Sequence, residues 1–260
     1  MHDALFSGPM PPLEGQLVVE FPSRAGAETI ELARIIGPAG TLIALAEADA
    51  ILAEIEPGRL DEDGVERRPE HAPIDHRRGT PDAPSLSRPE HGAVDVLVVH
   101  GWLAGRRDPL HEVRLLTDIL RPGGHILLLE EDRSALRLHP PCPAFERSWR
   151  DAWRRRESAG EDRTIGRRLP ELLHRSGCRL VASRDVPLGR SAGEPSFDDL
   201  IDVLIARMLG PDDPNGRPAL IEADDEDRSA APTALRRWAR EPGASIWLSD
   251  AWSLGQRERP

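Results

Sequence analysis

One segment near the start of the chain constrains the fold more than any other. Residues 17–19 are apolar, and the acid Glu20 and a tight loop follow them. Apolar residues then recur at helical spacing over 29–36, and the Gly- and Pro-containing stretch 37–40 ends that helix. A second apolar run, 41–46, comes directly afterwards. The order strand, loop, helix, strand predicts a parallel βαβ unit of an open α/β sheet.

The rest of the chain repeats this alternation. The stretch Leu-Arg-Pro-Gly-Gly at 120–124 separates a helical pattern from an apolar strand. The further predicted elements are strands at 94–99, 125–129, 178–182 and 245–254, and helices at 108–119, 165–173 and 197–209. Strands that alternate with helices of this length predict a mostly parallel sheet with helices on both faces.

These motifs resemble a known family. Residues 17–52 resemble the first βαβ unit of class I S-adenosylmethionine (SAM)-dependent methyltransferases of the small-molecule type, and the 120–124 stretch resembles a second local signature of that family. The resemblance implies an α/β fold with a Rossmann-like, seven-stranded methyltransferase sheet. It implies a single domain over 1–260, in which an irregular Pro- and charge-rich segment (56–92) contains the third strand. A helical region, 191–244, is inserted between the sixth and seventh strands.

The loop after the first strand departs from the family pattern. In the family this strand runs into Asp-hydrophobic-Gly-x-Gly-x-Gly. Here Glu20 takes the place of the acid, whereas Pro22, Arg24 and Gly26 take the places of the glycines. Proline lacks the N–H and fixes φ, so the backbone loses the freedom that glycine gives it. Arg24 puts a cation where the family places the methionine end of SAM, which carries a positive sulfonium.

Two other cofactor contacts are implied by the resemblance, and the first of them is altered. The acid that binds the ribose falls on Ala46, and Glu47 lies one residue later, where a strand side chain points to the opposite face. Asp82 is the nearest candidate for the acid on the adenine side. We therefore expect SAM binding to be weak or absent. Arg24 is predicted to pair with an acid at a strand end, namely Glu20, Glu47 or Glu130.

Four further residues are candidates for catalysis or for contact with a substrate. His100 ends the strand 94–99, where the family places residues near the methyl group, and an imidazole can act as a general base near neutral pH. The alternative is a hydrogen-bonded histidine at a strand end. Trp102, Trp149 and Phe197 are candidate substrate contacts. Trp149 opens an Arg-rich helix segment, 149–156, that is either a solvated helix face or the lining of an acidic-ligand pocket or partner surface.

Composition excludes several classes of function. All 34 basic residues are arginine and there is no tyrosine, which excludes P-loop ATPases, Schiff-base enzymes and the Tyr–Lys dehydrogenases. The net charge of −11 argues against a nucleic-acid partner. We expect no metal, because Cys142 and Cys178 lack metal-ligand spacing. No segment predicts secretion or membrane insertion, so we expect a cytoplasmic protein.

Three hypotheses for the function remain. The first is a pseudo-methyltransferase that acts as partner or activator of a catalytic methyltransferase homologue. The second is an active small-molecule methyltransferase with a variant loop and His100 as the candidate base. The third is a repurposed enzyme such as a cyclase. The absence of Lys and Tyr fits a GC-rich coding sequence, and methyltransferases of this type are common in bacterial secondary metabolism. We expect an oligomer, formed with a second copy or with a catalytic homologue.

Overall fold

Nine strands in the described part of the chain form one sheet. A computed structural model describes residues 9–23, 26–46, 60–61, 65–80, 86–87, 90–209 and 227–258. The strands are β1 (Leu17–Phe21), β2 (Thr41–Ala46), β3 (Val65–Glu66), β4 (Ile74–Arg78), β5 (Val94–His100), β6 (Leu120–Glu131), β7 (Arg137–His139), β8 (Cys178–Ser191) and β9 (Ser245–Arg257). The strand order is β3-β4-β2-β1-β5-β6-β9-β7, and β8 also pairs with β9.

The sheet is parallel in its centre and antiparallel at its ends. Strands β4, β2, β1, β5 and β6 run parallel, whereas β9 runs antiparallel to β6 and β8 antiparallel to β9. The predicted count of seven strands was wrong by two. The two additional strands, β3 and β7, are short. Strand β3 pairs antiparallel with β4. Strand β7 pairs with residues 245–247 of β9, beyond the part of β9 that pairs with β6. Strands of two or three residues have too little periodicity to be predicted.

Six helices and two 3-10 turns are found in the same described ranges. The helices are α1 (Ala27–Ile36), α2 (Pro109–Asp118), α3 (Pro143–Ser158), α4 (Leu169–Arg175), α5 (Phe197–Leu209) and α6 (Asp227–Trp238), and the turns are Leu103–Gly105 and Ile165–Arg168. None of these helices is long and apolar enough to cross a bilayer.

The two faces of the sheet bury two separate apolar cores. Adjacent residues of β1 point to opposite faces, so Val18 joins the core under α1 and Val19 joins the core under α2 and α4. Helix α1 contributes Leu32 to its core, and α2 contributes Val113 to the other. The helices therefore cover both faces, as the sequence predicted.

A third apolar cluster lies at the β7–β9 end of the sheet. Helices α3, α5 and α6 bury aromatic side chains there against Ile246 of β9. Helices α5 and α6 come between β8 and β9 in the chain. Strand β8 is longer than the predicted 178–182, because β9 begins at Ser245 and offers partners along the whole of Cys178–Ser191.

One carboxylate joins the starting ends of three parallel strands. Asp95 is the second residue of β5, and its Oδ2 accepts the backbone N–H of Leu17, the first residue of β1, at 2.8 Å. Its Oδ1 accepts a hydrogen bond from Nε of Arg121, the second residue of β6. The side chain is 19% exposed, so both bonds are partly shielded from water.

We expect Asp95→Ala to lower the free energy of unfolding by about 1–3 kcal/mol, because it removes a charged acceptor from a strand N–H and from a guanidinium. Urea denaturation measures the effect. Asp118→Ala is the matched control, since that carboxylate is 73% exposed and lies 3.9 Å from Arg257. The control is expected to stay within about 0.5 kcal/mol of the wild type. Equal losses in the two variants would contradict the role given to Asp95.

Candidate functional site

The candidate site lies where β1 and β5 end side by side. The parallel register pairs Glu20 with Val98 and Phe21 with Val99, so His100 follows directly beyond the end of β1. In open α/β sheets ligands bind in the crevice outside the carboxyl ends of the strands. This register brings two of the residues predicted from the sequence, Glu20 and His100, to one crevice.

Glu20 is a buried carboxyl group with hydroxyl partners. It is 6% exposed, and Thr29 Oγ1 donates to its Oε2 at 2.7 Å. Ser23 Oγ lies 3.1 Å from Thr29 Oγ1, which extends the network into the loop. Burial raises the pKa of Glu20 to about 7 and outweighs the hydrogen bonds from Ser23 and Thr29, which favour the ionised form. The carboxyl group therefore exchanges a proton near neutral pH.

His100 and Glu28 form a second acid–base pair in this crevice. His100 Nδ1 lies 3.7 Å from Glu28 Oε2, and both side chains are about one-fifth exposed. The charge of Glu28 raises the pKa of Glu20, and the imidazole of His100 lowers it. The three groups are thus electrostatically coupled. The separation of His100 and Glu28 is longer than a hydrogen bond, so the pair is an electrostatic contact, and an imidazole beside a carboxylate at a strand end is a candidate general base.

Trp102 is a buried residue two positions after His100. It is 4% exposed, and its ring meets Phe21 edge-on with centroids 4.5 Å apart. The guanidinium of Arg106 lies over the same ring, 3.1 Å from its centroid. Glu130 accepts the backbone N–H of Leu103 at 2.5 Å and so holds the turn that follows Trp102. The ring is therefore covered by protein, and its predicted contact with substrate stays a prediction.

The cofactor loop is described only in part. Pro22 is buried and follows Phe21 through a cis peptide bond. Gly26 is the N-cap of α1 with φ −98°, and its carbonyl accepts the N–H of Ile30 at 3.2 Å. Arg24, Glu47 and Asp82 lie outside the described residues, so their roles and the predicted ion pair of Arg24 stay predictions.

Trp149 and Phe197 lie away from this crevice, in the cluster of α3, α5 and α6. The ring of Trp149 stacks on Phe145 with centroids 5.7 Å apart. Phe197 is 2% exposed and packs on Trp238, with centroids 6.2 Å apart. The structure therefore does not bring these two residues together with Glu20 and His100.

Sequence analysis missed three members of the crevice: Ser23, Glu28 and Thr29. Thr29 carried a usable signal, because it is the polar member of a stripe of α1 that otherwise buries Leu32, Ala33 and Ile36. The described residues contain no group of three or more His, Cys, Asp or Glu side chains placed to hold a metal ion.

Comparison with known proteins identifies the fold. No family model matches the chain, and a search of curated proteins finds no significant match. Solved structures do match. A chain assigned as a type II methyltransferase from Anaeromyxobacter dehalogenans matches at 14% identity and TM-score 0.55 over 94% of this chain and 91% of its own. A chain of the complex between the Haloferax volcanii Trm112 methyltransferase activator and a methyltransferase matches at 16% identity and TM-score 0.53, over 99% and 90%.

The [4+2]-cyclase SpnF also matches, at 16% identity and TM-score 0.53, over 95% of this chain and 76% of its own. These likenesses establish the fold of class I SAM-dependent methyltransferases, as the sequence motifs predicted. At such identities they leave the activity to be argued from the residues of this chain.

We expect the Glu20→Gln variant to change the pH dependence of stability. The folded pKa of about 7 lies above the ordinary value of 4.5, so the unfolded state loses its proton first as pH rises. The contribution of wild-type Glu20 is complete below pH 4.5 and is lost as pH rises to 7. Between pH 5 and pH 8 the stability of Glu20→Gln relative to wild type should therefore rise by about 2–3 kcal/mol.

Urea denaturation at the two pH values measures this difference. The matched control is Glu14→Gln, which changes an exposed carboxylate. The difference in stability between this variant and the wild type should be the same at both pH values. A pH-independent difference for Glu20→Gln would show that the carboxyl group titrates alike in the folded and unfolded states.

Proposed function

We propose that this protein is a pseudo-methyltransferase: a methyltransferase-fold protein with an impaired SAM site that acts as partner or activator of a catalytic methyltransferase homologue in a small-molecule pathway. The observation that carries the proposal is how the residues at the end of β1 and in the loop after it are buried and bonded. The acid at its start is buried and hydrogen-bonded within the protein, and a buried proline stands where the family has its first glycine.

The contacts of Glu20 support the loss of ordinary cofactor binding. Its Oε2 accepts the hydroxyl of Thr29, and that hydroxyl also lies within hydrogen-bond distance of Ser23. Breaking these bonds inside a buried site is costly, because each group left without a partner loses its solvation as well. Pro22 adds to this effect, since it has no N–H to offer a ligand. Together these contacts favour a structural role for the loop.

A partner role fits the fold of a protein whose own site is impaired. The complex with the Trm112 activator pairs a methyltransferase with an activator, and a chain of that complex shares the fold of this protein. Binding a partner does not require a functional SAM loop. We infer that this chain supplies a binding surface to a homologue whose SAM loop retains its glycines.

The second candidate function is an enzyme that uses the same crevice. The position of His100 at the end of β5, with Glu28 Oε2 3.7 Å from its Nδ1, favours it, because a nearby carboxylate stabilises an imidazole that has accepted a substrate proton. If SAM binds, His100 becomes the candidate base of a methyltransferase. If SAM is dispensable, a repurposed reaction such as cyclisation becomes the better hypothesis, and the structurally similar SpnF is a [4+2]-cyclase.

The first test is calorimetric titration of the purified chain with SAM and S-adenosylhomocysteine. We expect a Kd weaker than about 100 µM, which corresponds to a binding free energy smaller in magnitude than about 5.5 kcal/mol. The double variant Pro22→Gly with Arg24→Gly should bind SAM about tenfold more tightly or better. Its matched control changes Pro12 and Arg107 to glycine, two exposed positions outside the loop. Low-micromolar binding by the wild type would favour the active methyltransferase.

The second test concerns assembly. We expect the chain to form an oligomer with itself or a complex with a methyltransferase homologue encoded nearby, and to raise the methyl-transfer rate of that homologue. Light scattering on the chain alone and on a co-expressed pair measures the assembly, and a methyl-transfer assay with and without the chain measures activation. A monomer at tens of micromolar that neither co-purifies with the homologue nor changes its rate would overturn the partner role.

A further inference from the structure

A second cavity lies beyond the carboxyl end of β6, separate from the crevice at Glu20. Its volume is about 270 Å³, and its lining comes from the segment after β6, from β7, from α3 and from the loop between α3 and the turn Ile165–Arg168. The side chains that matter for its chemistry are Arg133, Arg137, Arg150, Arg163, Glu146 and Trp149. Four guanidinium groups and one carboxylate thus line a small cavity in a chain whose net charge is −11.

Two of these arginines belong to an ionic network with nearby acids. Arg133 lies over the ring of Trp153 at 4.6 Å, and its Nη1 is 3.9 Å from Glu161. Arg163 Nε lies 2.9 Å from Glu157 Oε1. The backbone N–H of Arg133 donates to the carbonyl of Arg163 at 3.2 Å, which joins the two segments. This network fixes one wall of the cavity.

Within the described residues, the other two arginines have no carboxylate partner. Arg137 Nη1 donates to the carbonyl oxygens of Ser134 and Leu136, both at 2.8 Å, and these acceptors are neutral. Arg150 projects from the exposed side of α3. Over the ranges that the structure describes, no carboxylate comes within 4.0 Å of either guanidinium. Two cations thus share a cavity lined by a single acid, Glu146.

We propose that this cavity binds a small organic anion, a carboxylate or phosphate monoester, with its oxygens on Arg137 and Arg150 and its apolar body against Trp149. Guanidinium groups match carboxylate and phosphate oxygens in geometry and form charge-assisted hydrogen bonds with them. The volume suits a molecule of about one ring with one anionic group, below the size of most drug-like ligands.

The charge close to the cavity, and not the net charge of the chain, decides whether an anion binds there. Exposed charges farther apart than about 10 Å are largely screened by salt, so the four guanidinium groups that line the cavity act on an anion more strongly than the net charge of −11 does. The proposal does not depend on whether SAM binds at Glu20.

Calorimetric titration of the full chain tests the proposal with four probes: benzoate, phenyl phosphate, inorganic phosphate and neutral benzamide. We expect benzoate or phenyl phosphate to bind with 1:1 stoichiometry, inorganic phosphate to bind more weakly, and benzamide to give no saturable heat. The preference between benzoate and phenyl phosphate identifies the anionic group. Affinity should fall as ionic strength rises, because the contacts are partly exposed.

Variants locate the binding. Arg137→Gln and Arg150→Gln should each weaken binding about tenfold, since each removes a charge-assisted hydrogen bond. Glu146→Gln should strengthen it about two- to threefold, because it removes the one lining carboxylate. Arg147→Gln is the matched control: it removes one exposed charge from the same helix outside the cavity and should change affinity less than twofold.

Two results would overturn the site. The first is the absence of saturable binding of either aromatic anion by the wild type. The second is an equal loss in Arg147→Gln and Arg150→Gln, which would indicate non-specific attraction to the helix. The double variant at Pro22 and Arg24 should bind the anion as the wild type does, so this proposal and the proposed function fail separately.

Discussion

The parallel pairing of β1 between β2 and β5 is the constraint on which the candidate site depends. Strand β1 is hydrogen-bonded along both edges, and Val18 and Val19 are fully buried on its two faces. Glu20 is the last residue but one of β1, and strands flank its backbone on both edges. Burial of its side chain is the main cause of its raised pKa.

The antiparallel end of the sheet has a different consequence. Strand β9 is long enough to pair with β6 along its second half and with β7 at its start, while β8 covers its other edge. This arrangement extends the sheet past the crevice and gives α3, α5 and α6 a surface on which to pack, through Ile246. The segment after β6 must then turn towards α3, and that turn carries Arg133 and Arg137 to the cavity beside Trp149.

The sequence predicted those elements whose residues carry their own signal. Strand β2 matches its apolar run, 41–46, to the residue, and helix α1 spans the predicted apolar stripe. Strand β7 could not be predicted, because its three residues form a strand only by pairing with β9. The residues of the two sites also differ in how far the sequence predicts them. Glu20 and His100 were predicted from their places near strand ends. The presence of Arg137 and Arg150 in one cavity depends on how β7 lies relative to α3.

The two sites differ in charge, and this follows from the residues that build them. Burial raises the pKa of Glu20 to about 7, so a cation bound beside this carboxyl group would favour its ionised form. The second cavity is lined by four guanidinium groups, and none of its lining residues is a buried acid. The carboxyl ends of the strands thus face an acidic crevice and a cationic cavity. Because the charges are opposite in sign, a single small ligand with one charge has favourable electrostatics at only one of them.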